Sequence, residues 1–323
     1  MSRPRIDVLL PVRCARRTLP SALGDVLAQQ DVAVRVIAVV DDGPEGDDGS
    51  LGWLEARARD DRRLLVVKGP GRGAGAALDL GLERATAPLL SHMEADDRCP
   101  PDRFARLAAA LEADRSLSAM TSRAAQFGAR TPGMRRYLDW QNGLLTHEEM
   151  ASQRFVEIPA LHQTGLYRTE AVRTVGGYEP SGAWPPDIDF WMRWFERDLP
   201  VIKLPRVLYR WRQHAGQSTR GGGRHALSAL RACKVAALSR LHGTRGLEPR
   251  PLLLVSTGAT LVAWRDTLTA TDITLAGAVD WKPGRPAPRI RDDAIVLAVY
   301  GSTRVRARLA ASLGAEQPII EAA

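Results

Sequence analysis

The sequence predicts an α/β fold: a mostly parallel central sheet with helices on both faces, then a linker helix and a small C-terminal α/β domain. Three observations predict it. Between residues 6 and 113, short runs rich in Val, Ile and Leu alternate four times with segments of helical spacing, the signature of strand–helix units in a parallel sheet. Gly221-Gly222-Gly223 then interrupts the chain as a linker. Beyond Gly246 the strand–helix alternation resumes. These signals divide the chain into residues 1–220, a linker and amphipathic helix over 221–246, and a small Rossmann-like domain over 247–323.

The first strand is the apolar run Ile6–Pro11, and the helix after it spans residues 18–30 with Thr18 as its cap. Val32–Val40 is rich in β-branched residues and reads as a second strand ending in Asp41-Asp42-Gly43. A helix over Leu51–Ala58, a strand over Leu64–Val67, a glycine-rich turn over Gly69–Gly75 and a helix over Ala74–Ala85 follow. The fourth strand, Leu89–Met93, runs into Glu94, Asp96 and Asp97, and the helix after it starts with Pro101 in its first turn. From 114 to 222 the pattern breaks into strand-like pieces (Ala119–Ser122, Gly165–Tyr167, Val201–Leu204, Val207–Trp211) and helices near 135–144, 147–153 and 190–195. Ala226–Leu241 reads as an amphipathic helix through Leu227, Leu230, Val235, Leu238 and Leu241. Strands at Leu252–Val255, Ile273–Val279 and Ala294–Val299 alternate with helices at Leu261–Leu268 and Ser302–Leu313. This last part lacks a full glycine fingerprint, so docking or homodimerisation is its expected role rather than cofactor binding.

Composition narrows the partners. The 323 residues are 45% hydrophobic and 25% charged, ordinary values for a globular protein. The net charge of +8 comes from 45 basic and 37 acidic residues scattered along the chain. No block of like charge forms a nucleic-acid arm, so no nucleic acid is expected. An anionic substrate, or peripheral contact with an anionic membrane surface, suits the excess charge equally. Cys14, Cys99 and Cys233 are too far apart for a zinc site or a disulfide framework, which suits a reducing compartment. No signal-peptide core precedes Pro11 and no apolar run reaches membrane-spanning length, so a cytoplasmic location is expected.

Chemistry concentrates at the strand ends. Right-handed crossovers place the carboxyl ends of parallel strands along one edge, where open α/β sheets bind ligands. Asp41 and Asp42 should therefore share an edge with Glu94, Asp96 and Asp97. Acids crowded in this way repel one another unless a cation joins them, and oxygen ligands select Mn²⁺ or Mg²⁺. A solvated acidic loop capping the next helix is the plainer alternative. Gly71-Arg72-Gly73-Ala74-Gly75-Ala76 matches a short dinucleotide motif, and Glu94 follows at the spacing of a ribose ligand. That NAD(P)-dependent oxidoreductase reading leaves Asp41, Asp42, Asp96 and Asp97 without a role. Metal-assisted transfer from a nucleotide diphosphate uses them: a carboxylate-held ion neutralises the leaving diphosphate, and a separate carboxylate at Asp187 or Asp189 takes the acceptor's proton.

Six segments, in order, resemble the family 2 glycosyltransferases of GT-A fold: Ile6–Arg13, Val39–Gly43, Arg72–Leu82, Glu94-Ala95-Asp96-Asp97, Gly176-Gly177-Tyr178 with Asp187–Arg193, and Leu208–His214 with Ser218. The resemblance covers residues 5–220. It implies an inverting transfer from a UDP or dTDP sugar to a glycan, lipid-linked or small-molecule acceptor. Pro11, Arg13, Asp41, Asp42, Arg72, Asp96 and Arg212 would line the nucleotide-sugar site. Asp96, Asp97 and His214 would hold the metal, Asp187 would be the general base, and Trp184 and Asp189 would lie on the acceptor side. Three departures stand out: Glu94 where Asp is usual, Pro186 where a Glu precedes the base, and Asp79 for a common Asn. The Pro186 exchange leaves a catalytically degenerate binding module as an alternative. Trp140, Trp191, Trp194 and Trp211 read as core residues, and His92 and His162 as structural ones.

Overall fold

A computed structural model describes residues 3–42, 46–129, 131–179, 184–214, 226–241, 250–314 and 317–323. Gly43, Ser218, the Gly221-Gly222-Gly223 linker and Gly246 lie outside the described residues. The chain forms two compact units, the first made of residues 1–147, 160–182 and 197–221 and the second of 148–159, 183–196 and 222–323.

In the first unit the four expected strand–helix repeats are present. They are β1 (Arg5–Val12), α1 (Leu19–Leu27), β2 (Ala33–Val40), α2 (Ser50–Asp60), β3 (Leu64–Lys68), α3 (Ala74–Arg84), β4 (Leu89–His92) and α4 (Arg103–Ala113). β1, β2 and β4 are buried almost without interruption, as strands covered on both faces must be. Thr18 stands before α1 but makes no side-chain cap, because its hydroxyl donates to the Ala15 carbonyl instead.

The remaining elements of residues 119–213 are β5 (Ala119–Gly128), α5 (Pro132–Gly143), α6 (His147–Gln153), β6 (Leu166–Arg168), α7 (Thr169–Thr174), α8 (Pro186–Glu196) and β7 (Val201–Gln213). The seven strands lie in the order β3-β2-β1-β4-β6-β5-β7. Only β6 runs against its neighbours. Strand order reverses direction between β1 and β4, so their carboxyl ends flank the crevice at which such sheets take ligands.

The two strand pieces expected at 201–204 and 207–211 are one strand. β7 passes Pro205 through a bulge: Ser122 pairs with Leu204, Arg123 with Val207 and Ala124 with Tyr209. Proline is tolerated within a sheet at such a point because the bulge relieves it of a ladder hydrogen bond. Beyond the bulge the pairing with β5 runs on to Gly128 and Gln213, well past the four residues expected of β5. The core beneath joins Val8, Leu10 and Val36 to Phe104, Met120, Leu166 and Tyr209.

The amino ends of β1 and β4 are held by a buried carboxylate ion-paired with Arg35. Asp7, only 1% exposed, accepts two hydrogen bonds from the Arg35 guanidinium at 2.8 and 2.7 Å and the amides of Thr86 and Ala87 at 2.6 and 2.8 Å. Burial by itself would raise the Asp7 pKa; the Arg35 bonds and the two amides outweigh it and hold the carboxyl below the ordinary carboxylate range. A depressed folded pKa stabilises the fold above the unfolded value of about 3.9, and that contribution fades as pH falls through the folded value. Asp7→Asn should therefore cost about 1–3 kcal/mol in urea unfolding at pH 7, and the gap from the parent protein should narrow in acid. An unchanged midpoint at pH 7 would refute this role.

In the second unit, segments from the middle of the chain pack with the C-terminal residues, which departs from a single boundary near residue 220. Phe155, Ile188 and Met192 share a core with Cys233, Leu238, Leu252 and Trp264. The rest of the unit comprises α9 (Leu227–Leu241), β8 (Leu252–Ser256), α10 (Gly258–Leu268), β9 (Leu275–Asp280), β10 (Ile295–Val299), α11 (Thr303–Leu313) and β11 (Ile319–Ala322). Its sheet is parallel throughout, in the order β11-β10-β8-β9. On α9 the buried residues are Cys233, Lys234, Val235, Ala237 and Leu238, whereas Leu227, expected on that face, is 80% exposed. The Lys234 ammonium enters the core because it donates to the carbonyls of Val156 and Ala323 at 3.0 and 2.6 Å.

Candidate functional site

At the end of β2 two adjacent acids take different parts. Asp41 is buried, and its carboxylate oxygens accept the amides of Gly71 and Gly73, each at 2.6 Å. Both glycines hold positive φ, at 71° and 100°, a conformation that residues with a Cβ disfavour. Asp41, expected to contact the nucleotide, is thus spent on shaping the glycine turn. The same bonds remove the ground for a dinucleotide site, since the amides that would cradle a pyrophosphate already face a carboxylate. The turn also follows β3, an edge strand, rather than a strand at the switch point. Asp42 is half-buried, and its Oδ1 has no partner among the described residues. Burial, then the charges of Asp47, Asp48 and Asp41, raise its pKa. Pro11 lies buried at the end of β1, while Arg13 and Arg72 are exposed.

The acids after β4 divide in the same way. Asp97 is 1% exposed. Its Oδ2 accepts the Tyr209 hydroxyl and its Oδ1 the Arg212 amide, both at 2.6 Å. Arg212 reaches further along the loop, with Nε donating to the Asp96 carbonyl at 2.7 Å. Arg98 and Arg210 exchange backbone hydrogen bonds at 3.0 and 2.8 Å. The acidic loop is thereby laced to β7, and the Asp97 carboxylate, expected on the metal, is closed by two protein donors. Its pKa is nonetheless raised, by burial first and the Asp96 charge second, against the pull of those donors.

Asp96 remains open. It is half-buried, and its Oδ2 lies 3.1 Å from His214 Nε2. These two residues, expected together on an ion, are brought together. Burial and then the Glu94 charge push the Asp96 carboxyl up, while His214 and Arg212 oppose the shift. Glu94 turns away from the pair, its Oε1 lying 3.0 Å from His92 Nε2.

Below this loop sits Arg103, which no sequence signal marked because it falls on the apolar face of α4. It is fully buried, donates to Ser91 Oγ at 3.2 Å, the His92 carbonyl at 3.3 Å and the Gln163 carbonyl, and lies 4.9 Å from the centre of the Tyr209 ring. Tyr209 was visible in sequence only as part of a motif. Its phenol is held protonated by burial and by the Asp97 charge, and so serves as a permanent donor.

Asp187 and Asp189 lie in the first turn of α8, within the second unit. Carboxylates are favoured there by the helix dipole. Asp187 is half-buried and accepts the Ile188 amide at 2.9 Å. Asp189 is buried and paired with Arg193 at 2.9 Å, so this residue, expected on the acceptor side, serves α8 itself. Trp184, expected with it, packs against the core of its own unit. Trp191 and Trp194 are core residues, as expected.

A mostly parallel seven-stranded sheet with acid pairs at the switch-point edge is the fold of a GT-A enzyme. The sequence profile of Glycosyl transferase family 2 matches residues 7–176, more than half of the chain, and the chain belongs to that family. It is 26% identical over 187 residues to the amylovoran biosynthesis glycosyltransferase AmsE of Erwinia amylovora, covering 58% of this chain and 67% of that one. It is 29% identical over 161 residues to an uncharacterized glycosyltransferase of Haemophilus influenzae, covering 50% and 58%. Among solved structures, S. aureus TarS 1-349 in complex with UDP-GlcNAc aligns with a TM-score of 0.58 at 16% identity, over 72% of this chain and 66% of that one. The mannosyltransferase PcManGT of Pyrobaculum calidifontis, in complex with GDP-Man and Mn²⁺, aligns with a TM-score of 0.51 at 19% identity, over 74% and 63%. At these identities the structural likenesses establish the fold.

Tyr209→Phe removes one of two donors from a buried carboxylate. A loss of about 1–3 kcal/mol is expected in chemical unfolding, and a change below about 0.5 kcal/mol would show that the hydroxyl does not hold Asp97.

Proposed function

We propose that the chain moves a sugar from a nucleotide-diphosphate sugar, of UDP or dTDP type, to an acceptor hydroxyl with inversion at the anomeric carbon. The observation that carries this reading is the placement of Asp42 and Asp96 on the carboxyl edge, one with an unpartnered oxygen among the described residues and the other bonded to the exposed His214, beside Asp41 and Asp97, which the protein closes. Asp42 offers acceptors to the nucleoside, and Arg13, Arg72 and Arg212 offer positive charge to the diphosphate.

The donor set suits a hard divalent cation, Mn²⁺ or Mg²⁺. Asp96 presents a half-buried carboxylate to the edge, and His214 stands beside it, with Nε2 3.1 Å from Oδ2. Asp96 and His214 would hold the ion, which when bound supplies Lewis-acid neutralisation of the diphosphate. Asp187 takes the proton of the acceptor hydroxyl. The acceptor oxygen bonds to the anomeric carbon as the bond to the diphosphate oxygen breaks, and the nucleoside diphosphate leaves with the electron pair. Family membership and the likeness to folds solved with UDP-GlcNAc and with GDP-Man and Mn²⁺ support the donor class.

Thermal melts with UDP, dTDP and GDP species, each with and without Mn²⁺, should show stabilisation by a uridine or thymidine diphosphate that grows with metal. Stabilisation by NAD(H) alone would contradict the reading. Asp187→Asn should leave donor binding intact and lower nucleoside diphosphate release by ~10²–10⁴; unchanged turnover would move the base elsewhere. Donor binding without any turnover in the parent protein would favour the binding module that Pro186, in place of a Glu, suggests.

A further inference from the structure

We propose that His92, Glu94 and His162 form a second cation site, suited to a borderline transition metal of the Zn²⁺ class and separate from the hard-cation site at Asp96. All three residues belong to the first unit. His92 ends β4, Glu94 lies two residues beyond, and His162 opens a 3₁₀ turn at His162–Thr164. One ligand atom from each residue lies within 4.8 Å of the other two.

The backbone around them is fixed. Ser91 Oγ donates to the Gly165 carbonyl at 2.7 Å, the Tyr167 hydroxyl to the His162 carbonyl at 2.6 Å, and Arg103 to the carbonyls of both His92 and Gln163. β4 and the turn are thus held side by side independently of the imidazoles.

His92 supplies the second observation. It is fully buried, and neither ring nitrogen has a hydrogen-bond partner among the described residues. Nε2 lies 3.0 Å from Glu94 Oε1, but in a direction that makes no hydrogen bond. Buried polar atoms left in this state are rare and costly, and an ion is one of the few things that accounts for them. The two imidazole rings have centres 4.7 Å apart with planes 23° from parallel. Two imidazoles on one ion, with bonds of about 2.1 Å, place their ring centres about 5 Å apart.

Ligand chemistry sets the metal class. Two neutral imidazoles and a carboxylate suit Zn²⁺, Co²⁺ or Ni²⁺, whereas Mn²⁺ and Mg²⁺ favour oxygen. Glu94 accounts for its own departure from the family pattern, because the longer side chain reaches back to His92. An ion there would remove a negative charge from beside Asp96.

The test uses the full chain, free of any histidine tag and stripped with a chelator, with no nucleotide present. Zn²⁺ is titrated by calorimetry and Co²⁺ by its visible absorption. One Zn²⁺ per chain should bind, with Co²⁺ bands indicating nitrogen ligation, and binding should persist in Asp96→Asn. Glu94→Gln and His162→Ala, each confirmed folded by circular dichroism, should weaken it by more than the ~10–100-fold that loss of a ligand-orienting contact costs. Glu94 is half-exposed, so its variant serves if His162→Ala unfolds. Absence of Zn²⁺ uptake, or uptake abolished by Asp96→Asn and intact in Glu94→Gln, would overturn the proposal. Neither result bears on donor binding, which is read separately with nucleotide and Mn²⁺.

Discussion

The Asp97 carboxylate is the constraint on which the candidate site depends. It joins the loop after β4 to the far end of β7, more than a hundred residues later in the chain. A buried carboxylate is tolerable only while donors surround it. The Tyr209 hydroxyl, the Arg212 amide and the closed loop are therefore mutually required. Two further buried acids use the same device. Asp41 closes the glycine turn onto β2, and Asp7 binds β1 to Arg35 and to the turn before β4. One of these three carboxylates staples the amino ends of the central strands, and two build the loops at the carboxyl ends.

Each Asp-Asp doublet therefore holds a builder and a candidate ligand. Asp41 and Asp97 face protein amides and hydroxyls, while Asp42 and Asp96 keep oxygens available for chemistry. The burial that serves the first of each pair also crowds the second, which accounts for the raised pKa values of Asp42 and Asp96. A cation or a cationic side chain arriving at the edge relieves that crowding.

Sequence periodicity revealed the sheet's first half because those strands are uniformly apolar and their helices amphipathic. It failed where tertiary contacts override local pattern. Pro205 made β7 look like two strands, since nothing local announces that a bulge carries the ladder across it. α8 looked like part of the first 220 residues, yet Ile188 and Met192 find their core among C-terminal residues. Short elements such as α7 and β11 carry too few residues to show a period. Within the site, spacing located both doublets but not their orientation, because neighbouring residues differ in facing and only the packed partner decides which turns inward. His92 and His162 are seventy positions apart, and only the crossing of β4 with the turn at His162 makes them neighbours.

The bulge at Pro205 has a consequence for which side chains reach the acids. β7 uses the five residues Pro205–Tyr209 where β5 uses the two residues Arg123 and Ala124. The surplus is odd, so the alternation of faces inverts across it. Tyr209 shares the buried face with Met120 and Ala124, whereas in an unbroken strand that face would fall to Arg210. The bulge acts as a phase switch for the strand's last third, setting the Tyr209 phenol rather than the Arg210 guanidinium opposite Ala124.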